Sequence, residues 1–520
     1  MNIQTLLVTA RNAVIECESK TNFEMEKEYA VYVNGVFYAM TRYVVSGIYN
    51  LKPDTDYTAE VRDGESILGS VSFHTKYEFV TLNVKDFGAK GDGIHDDTHF
   101  IQAAIMACPP DSRILFPKGV YRVVSLFLKD NINIELDKGC IIKAFTKRAK
   151  FPVLKGRIES YDETAEYNLG TWEGNPLDMF SSVITGINVK NVVLYGQGVV
   201  DGNGAWGPDN WWDNCKVRNG AWRPRSVYLN RCENIVMEGI TVQNSPSWTI
   251  HPYFSNNLTI LNLKLKNPKV SPNTDALDPE SCKNVDIIGV HFSVGDDCIA
   301  IKSGKIYMGS TYKVPSENIM VRQCKMQDGH GSVTIGSEMA GGVKHVTIKD
   351  CIFQDTDRGL RIKTRRGRGK DAVIDDILFD NIQMNGVMTP VVINSFYYCD
   401  PDGHTSYVQT KEPLPVDERT PDIRKLAFRN IVAKDCHVAA AYMYGLPEQK
   451  IEEVVFENVS ITYAEDPVMD VPAMMDDLPP CCKKGMYANN IKHLVLRDCT
   501  ISGQDGEAFE LYNIDNLEQA

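Results

Sequence analysis

Four short clusters carry the residue types that can do chemistry: Asn273-Thr274-Asp275, Gly295-Asp296-Asp297, Gly329-His330-Gly331 and Arg361-Ile362-Lys363. Adjacent aspartates that are partly desolvated cannot both ionise cheaply, so one holds its proton to higher pH and can act as an acid. Asp275 adds a carboxylate able to orient water, and His330 can tune the acid or hold a sugar hydroxyl. Arg361 and Lys363 can neutralise a carboxylate on a substrate. An acid that protonates a leaving oxygen, beside a carboxylate that activates water, is the division of labour in glycoside hydrolysis. A water held between them calls for carboxyl groups about 6.5–9.5 Å apart. Taken singly, each cluster has a plain reading: Asp-Asp is usually a solvated turn, and Gly-His-Gly a loop with a surface imidazole. The basic run from Arg365 to Lys370 alone suggests an RNA-binding tail or a solvated loop.

The clusters gain meaning from their register. Each opens or crosses a short apolar run, and the runs superpose on Leu277, Ile299, Val333 and Leu360. These positions lie about 20–35 residues apart, the period of a solenoid coil. If the runs stack as parallel strands, Asp275 and Asp297 share one column, and Thr274, Asp296 and His330 the next. Arg361 and Lys363 then fall two coils beyond Asp297, on the face opposite Leu360 and Ile362. Three carboxylates, a histidine and two cations would face one groove within roughly 15 Å, three coil steps at the sheet spacing. Strict alternation would turn Asp275 and Asp297 inward, so the turn before each strand must break parity.

The elements that position these groups are legible on either side. Residues 1–77 read as a small antiparallel β-sandwich, with turns at Asn34-Gly35 and Asp63-Gly64. Within them Leu51-Lys52-Pro53-Asp54-Thr55-Asp56-Tyr57 resembles the tyrosine corner of fibronectin type III domains, where the Tyr hydroxyl bonds to upstream backbone. A structural or orienting role fits this domain better than sugar binding. Residues 78–520 form the second unit. Asp96-Asp97-Thr98 caps a predicted helix with Phe100, Ile101, Ala104 and Ile105 on one face, closing the solenoid's end. Coils are predicted from Ile114. Runs beginning Asn191, Asn234, Asn257, Asn284 and Asn318 share one template, as do those opened by His345, Asp376, Glu453 and His493. Stacked asparagines explain that recurrence as an amide ladder. The fold class is all-β: a parallel β-helix behind a small N-terminal sandwich. Segments at about 155–180, 203–225 and 399–422 interrupt the coils, are rich in aromatics, and belong on the binding face.

In this order the four motifs resemble the signature of glycoside hydrolase family 28, the polygalacturonases, over about residues 80–515. Ala276 replaces the glycine common after the first Asp. The resemblance implies a right-handed parallel β-helix and inverting hydrolysis of α-1,4-linked galacturonate in pectic polysaccharide, without cofactor or metal. It assigns Asp296 as general acid, Asp275 and Asp297 as the pair activating water, and His330 as the assisting catalytic histidine. Asn273, Arg361 and Lys363 become substrate-binding residues. An intact Gly329-His330-Gly331 favours galacturonan over rhamnogalacturonan. The three loops and the N-terminal domain point to exo action, as in bacterial members that process imported oligomers, with endo cleavage as the alternative. A pectate lyase-like eliminase and a non-catalytic polysaccharide-binding β-helix are the rivals from other classes.

Composition narrows the partners. A net charge of −13 argues against a nucleic-acid or anionic-membrane binder. No run reaches the roughly 18 apolar residues a spanning helix needs. The first ten residues lack a basic n-region, which reads as a cytoplasmic protein, or a secreted one if a leader precedes them. The fourteen cysteines are scattered through strand-like runs, where reduced core thiols fit. Oligomeric state is not encoded in any of these features.

Overall fold

The computed structural model describes residues 1–18, 21–159, 166–213, 215 and 220–520. Parts of two predicted loops, 160–165 and 214 with 216–219, lie outside the described residues. Near the N-terminus, Ile3–Val8, Ala13–Cys17 and Val45–Ile48 form one antiparallel sheet. Glu24–Val33, Val36–Tyr43, Asp56–Asp63 and Ser66–His74 form a second. Asn34 and Gly35 both adopt positive φ in their hairpin, the conformation that selects Asn-Gly. Tyr57 Oη accepts the Lys52 N–H at 2.9 Å, fixing the corner between the sheets.

From Thr81–Asn83 onward, one coil earlier than expected, strands pair in parallel with the strand one turn back. The result is a right-handed parallel β-helix whose apolar core runs continuously from Val84 to Leu496. Asn191, Asn234, Asn257, Asn284 and Asn318 each donate a side-chain N–H to the asparagine of the preceding coil, at 2.8–3.2 Å. All five have φ between +55° and +57°. Asparagine therefore recurs for two reasons: the ladder consumes its amide, and it tolerates left-handed backbone better than other side chains. Nine of the cysteines are buried, as core thiols should be.

The predicted helix spans Thr98–Ala107, and Ile101, Ala104 and Ile105 join the core. Phe100 does not; it is 43% exposed and lies over Gly88, because it sits just off the narrow buried stripe. The capping aspartates also divide differently. Asp96 accepts from Thr98, while Asp97 turns back to the backbone N–H groups of Lys90 and Gly91.

One column of strands carries the site: Val227–Asn230, Ile250–Tyr253, Ile299–Ile301, Val333–Gly336, Arg358–Lys363, Thr389–Asn394 and Ala439–Tyr444. Ile299 pairs with Val333 and Val333 with Leu360, and Leu277 bridges Ile250 and Ile299, so the predicted superposition is the observed register. The run around Leu277 holds its coil by isolated bridges rather than as a strand; Pro279 within it has no N–H to donate.

The sandwich packs sideways on the solenoid, sharing its core with Leu261 and Ile288. At the junction the carboxyl of Glu238, fully buried, accepts hydrogen bonds from Asn12 Nδ2 and Tyr49 Oη, each at 2.7 Å. Burial outweighs these donors and pushes its pKa up to about 8. Between about pH 4.5 and 8 the folded state then holds a proton that the unfolded chain has released. Stability should fall across that window by up to about 1.4 kcal/mol per pH unit. Glu238→Gln should remove that component, so the difference in stability between variant and wild type, from denaturant melts, should shift in the variant's favour as pH rises from 5 to 8. Parallel pH profiles would exclude Glu238 as the source.

Candidate active site

Asp275, Asp296 and Asp297 sit in the turns that enter successive coils, ahead of the strand pairing at Leu277 and Ile299. This is the parity break that outward-facing carboxylates require. One oxygen from each of the three lies within 4.8 Å of the others. These oxygens come so near because residues one coil apart in a column are held at the sheet spacing. The glycines around His330 permit this closeness. A side chain at Gly331 would meet Thr334 Oγ1 and come within 2.9 Å of Asp297 Oδ1; one at Gly329 would strike the Asp296 carbonyl.

Each aspartate has different company. Asp297, 1% exposed, receives Lys363 Nζ at 2.9 Å and Arg361 Nη1 at 3.3 Å from the outward face two coils on. Burial opposes its charge, but these two cations hold it well below the usual carboxylate range. Asp275 is also buried, and desolvation first, then the neighbouring Asp296, drive its carboxyl well above that range. Asp296 is the most exposed of the three, with His330 Nδ1 3.5 Å from its Oδ1. His330 is half-exposed and faces solvent. Asn273, in left-handed backbone, accepts from Arg223 Nη2 at 2.8 Å. The predicted residues thus converge, with Asn273 tied to a loop arginine.

Several groups at the site were not singled out from the sequence. Lys302 Nζ is buried 3.2 Å from Glu338, 3.5 Å from Asp278 and 4.0 Å from Asp275. Burial works against this ammonium, yet Glu338, Asp278 and Asp275 together raise its pKa well above the ordinary lysine value. Burial lifts Asp278 to about 7, against the pull of Lys302. The signal for Lys302 was available: it stands three residues after Ile299, as Lys363 stands three after Leu360, and so falls in the same outward column. Arg223, Glu173 and Asp400 come from loops, where no periodicity points to them.

An anionic Asp297 beside a carboxyl raised towards protonation can support acid–base chemistry on a bond held over the trio. Lys363→Met removes one of the two cations on Asp297. Breaking a buried pair costs roughly 3–5 kcal/mol. The depressed Asp297 stabilises the fold above its unfolded pKa of about 3.9 and loses that contribution only in strong acid. The variant should lose it at higher pH, moving both the acid limb of kcat and the acid unfolding midpoint upward. Unmoved midpoints would show that Lys363 does not set the charge of Asp297.

The comparisons agree with this geometry. The family model described as Glycosyl hydrolases family 28 matches residues 151–476, and one described as Rhamnogalacturonase A/epimerase, pectate lyase-like, matches residues 81–159. A probable polygalacturonase of Vitis vinifera is 28% identical over 392 residues, 74% of each chain. An endo-polygalacturonase of Pectobacterium carotovorum subsp. carotovorum is 29% identical over 382 residues, 70% of this chain and 84% of that one. Among solved structures, the family 28 exopolygalacturonase of Yersinia enterocolitica matches with a TM-score of 0.68 at 17% identity, covering 98% of each chain. A hyperthermoactive exopolygalacturonase of Thermotoga maritima matches with a TM-score of 0.60 at 26% identity, covering 80% of this chain and 93% of that one. A family model that spans most of the coils, on a β-helix presenting this aspartate trio, identifies the chain as a member of glycosyl hydrolases family 28.

Proposed function

We propose that this protein hydrolyses α-1,4-galacturonosidic bonds in polygalacturonate or its oligomers, from a chain end and with inversion. The polygalacturonases among its relatives support the substrate. In the proposed step, the proton that Asp275 holds in the resting trio is passed to the neighbouring Asp296, which delivers it to the leaving oxygen as the C1–O bond breaks and leaves Asp275 as a carboxylate. Asp275 and Asp297 orient a water whose hydroxyl bonds to C1, and one of them takes the remaining proton. Arg361 and Lys363 would share their charge with a substrate carboxylate. The short spacing of the trio alone would suit a carboxylate nucleophile as well as a bound water. Inversion is favoured because Asp297 is held by two cations, which weakens it as a nucleophile while leaving it able to orient water.

One observation carries the exo reading. Lys305 ties two of the long loops together, its Nζ lying 3.0 Å from Asp400 and 3.8 Å from Glu173, while its N–H donates to Gly174. Arg365 and Arg368 also grip Asp400. The third loop reaches in through Arg223 to Asn273. Loops fastened to one another beside the trio support a site walled to take a terminus rather than an internal bond. The exopolygalacturonase of Thermotoga maritima adds support, set against the endo-acting Pectobacterium relative. A cytoplasmic location, where short imported oligomers would be the substrate, belongs to the same proposal.

Polygalacturonate should release short units from the first turnover, with viscosity falling slowly relative to the reducing ends formed. A rapid viscosity collapse with mixed oligomers would make this an endo-enzyme. Chelator should leave the rate unchanged and no unsaturated product should absorb; the opposite results would identify a lyase. NMR of fresh product should show the β anomer first, and early α anomer would make one of the aspartates a nucleophile. Asp296→Asn should lower kcat by roughly 10²–10⁴-fold. Retention of more than half the wild-type kcat would remove Asp296 from the acid role.

A further inference from the structure

Beyond Arg361 the same strand column continues through Val392, Tyr442 and Tyr487, each paired with the residue one coil back. Tyr487 is three coil steps from Arg361, roughly 14 Å along the solenoid axis. Tyr442 and Tyr487 stack nearly parallel, their ring centres 4.7 Å apart, with Tyr444 beside them. These rings, Met475 and Lys411 line a cavity of about 620 Å³, within the roughly 300–1,000 Å³ usual for ligand sites. A crossing between two segments separates it from the catalytic trio. Asp476 accepts from His404 at 2.7 Å and donates its N–H to Gln409 at 3.1 Å, while the neighbouring Met474 touches Arg361.

The cations in this cavity differ in one respect. Lys484 is paired with Glu510. Lys411, partly buried, lies 3.7 Å from the centre of the Phe396 ring and donates only to the Gln409 carbonyl, at 2.8 Å. Among the described residues no carboxylate lies within ion-pair distance of it. Asp476 is engaged by His404, and Asp477 is exposed at the rim. A partly desolvated ammonium without a counter-ion is costly and favours an anion. Burial lowers its pKa to about 8, consistent with that lack of a partner.

We infer that this cavity is a distal subsite, in which Lys411 binds a carboxylate of a uronate unit downstream of the bond being cleaved, and the Tyr442, Tyr444 and Tyr487 edges and hydroxyls hold its ring. The inference rests on the proposed uronate-chain substrate. It gives the enzyme a preference for oligomers long enough to pass over the Asp476 crossing.

The test compares kcat/KM on hexagalacturonate and trigalacturonate for the wild type, Lys411→Gln and Lys411→Arg. Lys411→Gln should lower the hexamer-to-trimer ratio by at least about tenfold, the loss of one charge-assisted hydrogen bond, and Lys411→Arg should restore most of it. Methyl-esterified hexamer should be affected less than the free acid. Tyr487→Phe, which keeps the ring and removes one hydroxyl, should lower the ratio by a few fold and serves if Lys411→Gln does not fold. An unchanged ratio in both Lys411→Gln and Tyr487→Phe overturns the subsite, as does an equal loss on acid and ester. Failure of the wild type to cleave either oligomer would instead reject the proposed substrate, and the subsite with it.

Discussion

The site depends on a single buried cluster: Asp297 clasped by Lys363 and Arg361 from two coils away. Three carboxyl groups within 4.8 Å cannot all be charged in a desolvated turn. The two cations settle which of them is. With Asp297 fixed as the anion, the burden of burial and repulsion falls on Asp275, which is driven to keep its proton, with the partly exposed Asp296 beside it and His330. Lys302 pulls the other way on Asp275, but it lies nearer Glu338 and Asp278 and shares its charge with them, so Asp275 still keeps its proton. The acid–base asymmetry of the trio thus arises from cations placed by strand register, since side chains in one column stand a sheet spacing apart.

Register is also why much of the site was legible in the sequence. Aligning Leu277, Ile299, Val333 and Leu360 reproduces the observed pairing, and with it the columns holding Asp275 with Asp297 and Asp296 with His330. A period-two pattern on a solenoid converts sequence spacing into distance almost directly. The asparagine runs were legible for the same reason, although their left-handed backbone was visible only in the structure. Where periodicity ends, legibility ends. Arg223, Glu173 and Asp400 lie in loops whose path follows tertiary contacts, and Phe100 shows that a helical stripe is narrower than its count of apolar residues suggests. Lys302 was missed although its column position matched that of Lys363.

The long loops and the N-terminal sandwich do different physical work on the same scaffold. The loops are fastened by charge: Lys305 between Glu173 and Asp400, Arg365 and Arg368 on Asp400, Arg366 on Glu448. These links add to apolar clusters of the loops' own, in which Trp172, Trp211 and Trp212 are buried outside the main solenoid core. The sandwich docks through shared hydrophobic side chains and the neutral, hydrogen-bonded Glu238, on a strand column other than the trio's. Its attachment suits a stabilising or orienting part better than a catalytic one.

The division of protons among Asp275, Asp296 and Asp297 is the claim on which the chemistry turns. Carbon-13 labelling of the aspartate carboxyl groups, with each of the three assigned by its Asn variant, allows their titration to be followed directly by NMR. Asp297 should remain ionised to well below the ordinary carboxylate range, while Asp275 should take up its proton well above it. Titration of Asp297 in the ordinary range, or of all three together near pH 4, would contradict the assignment.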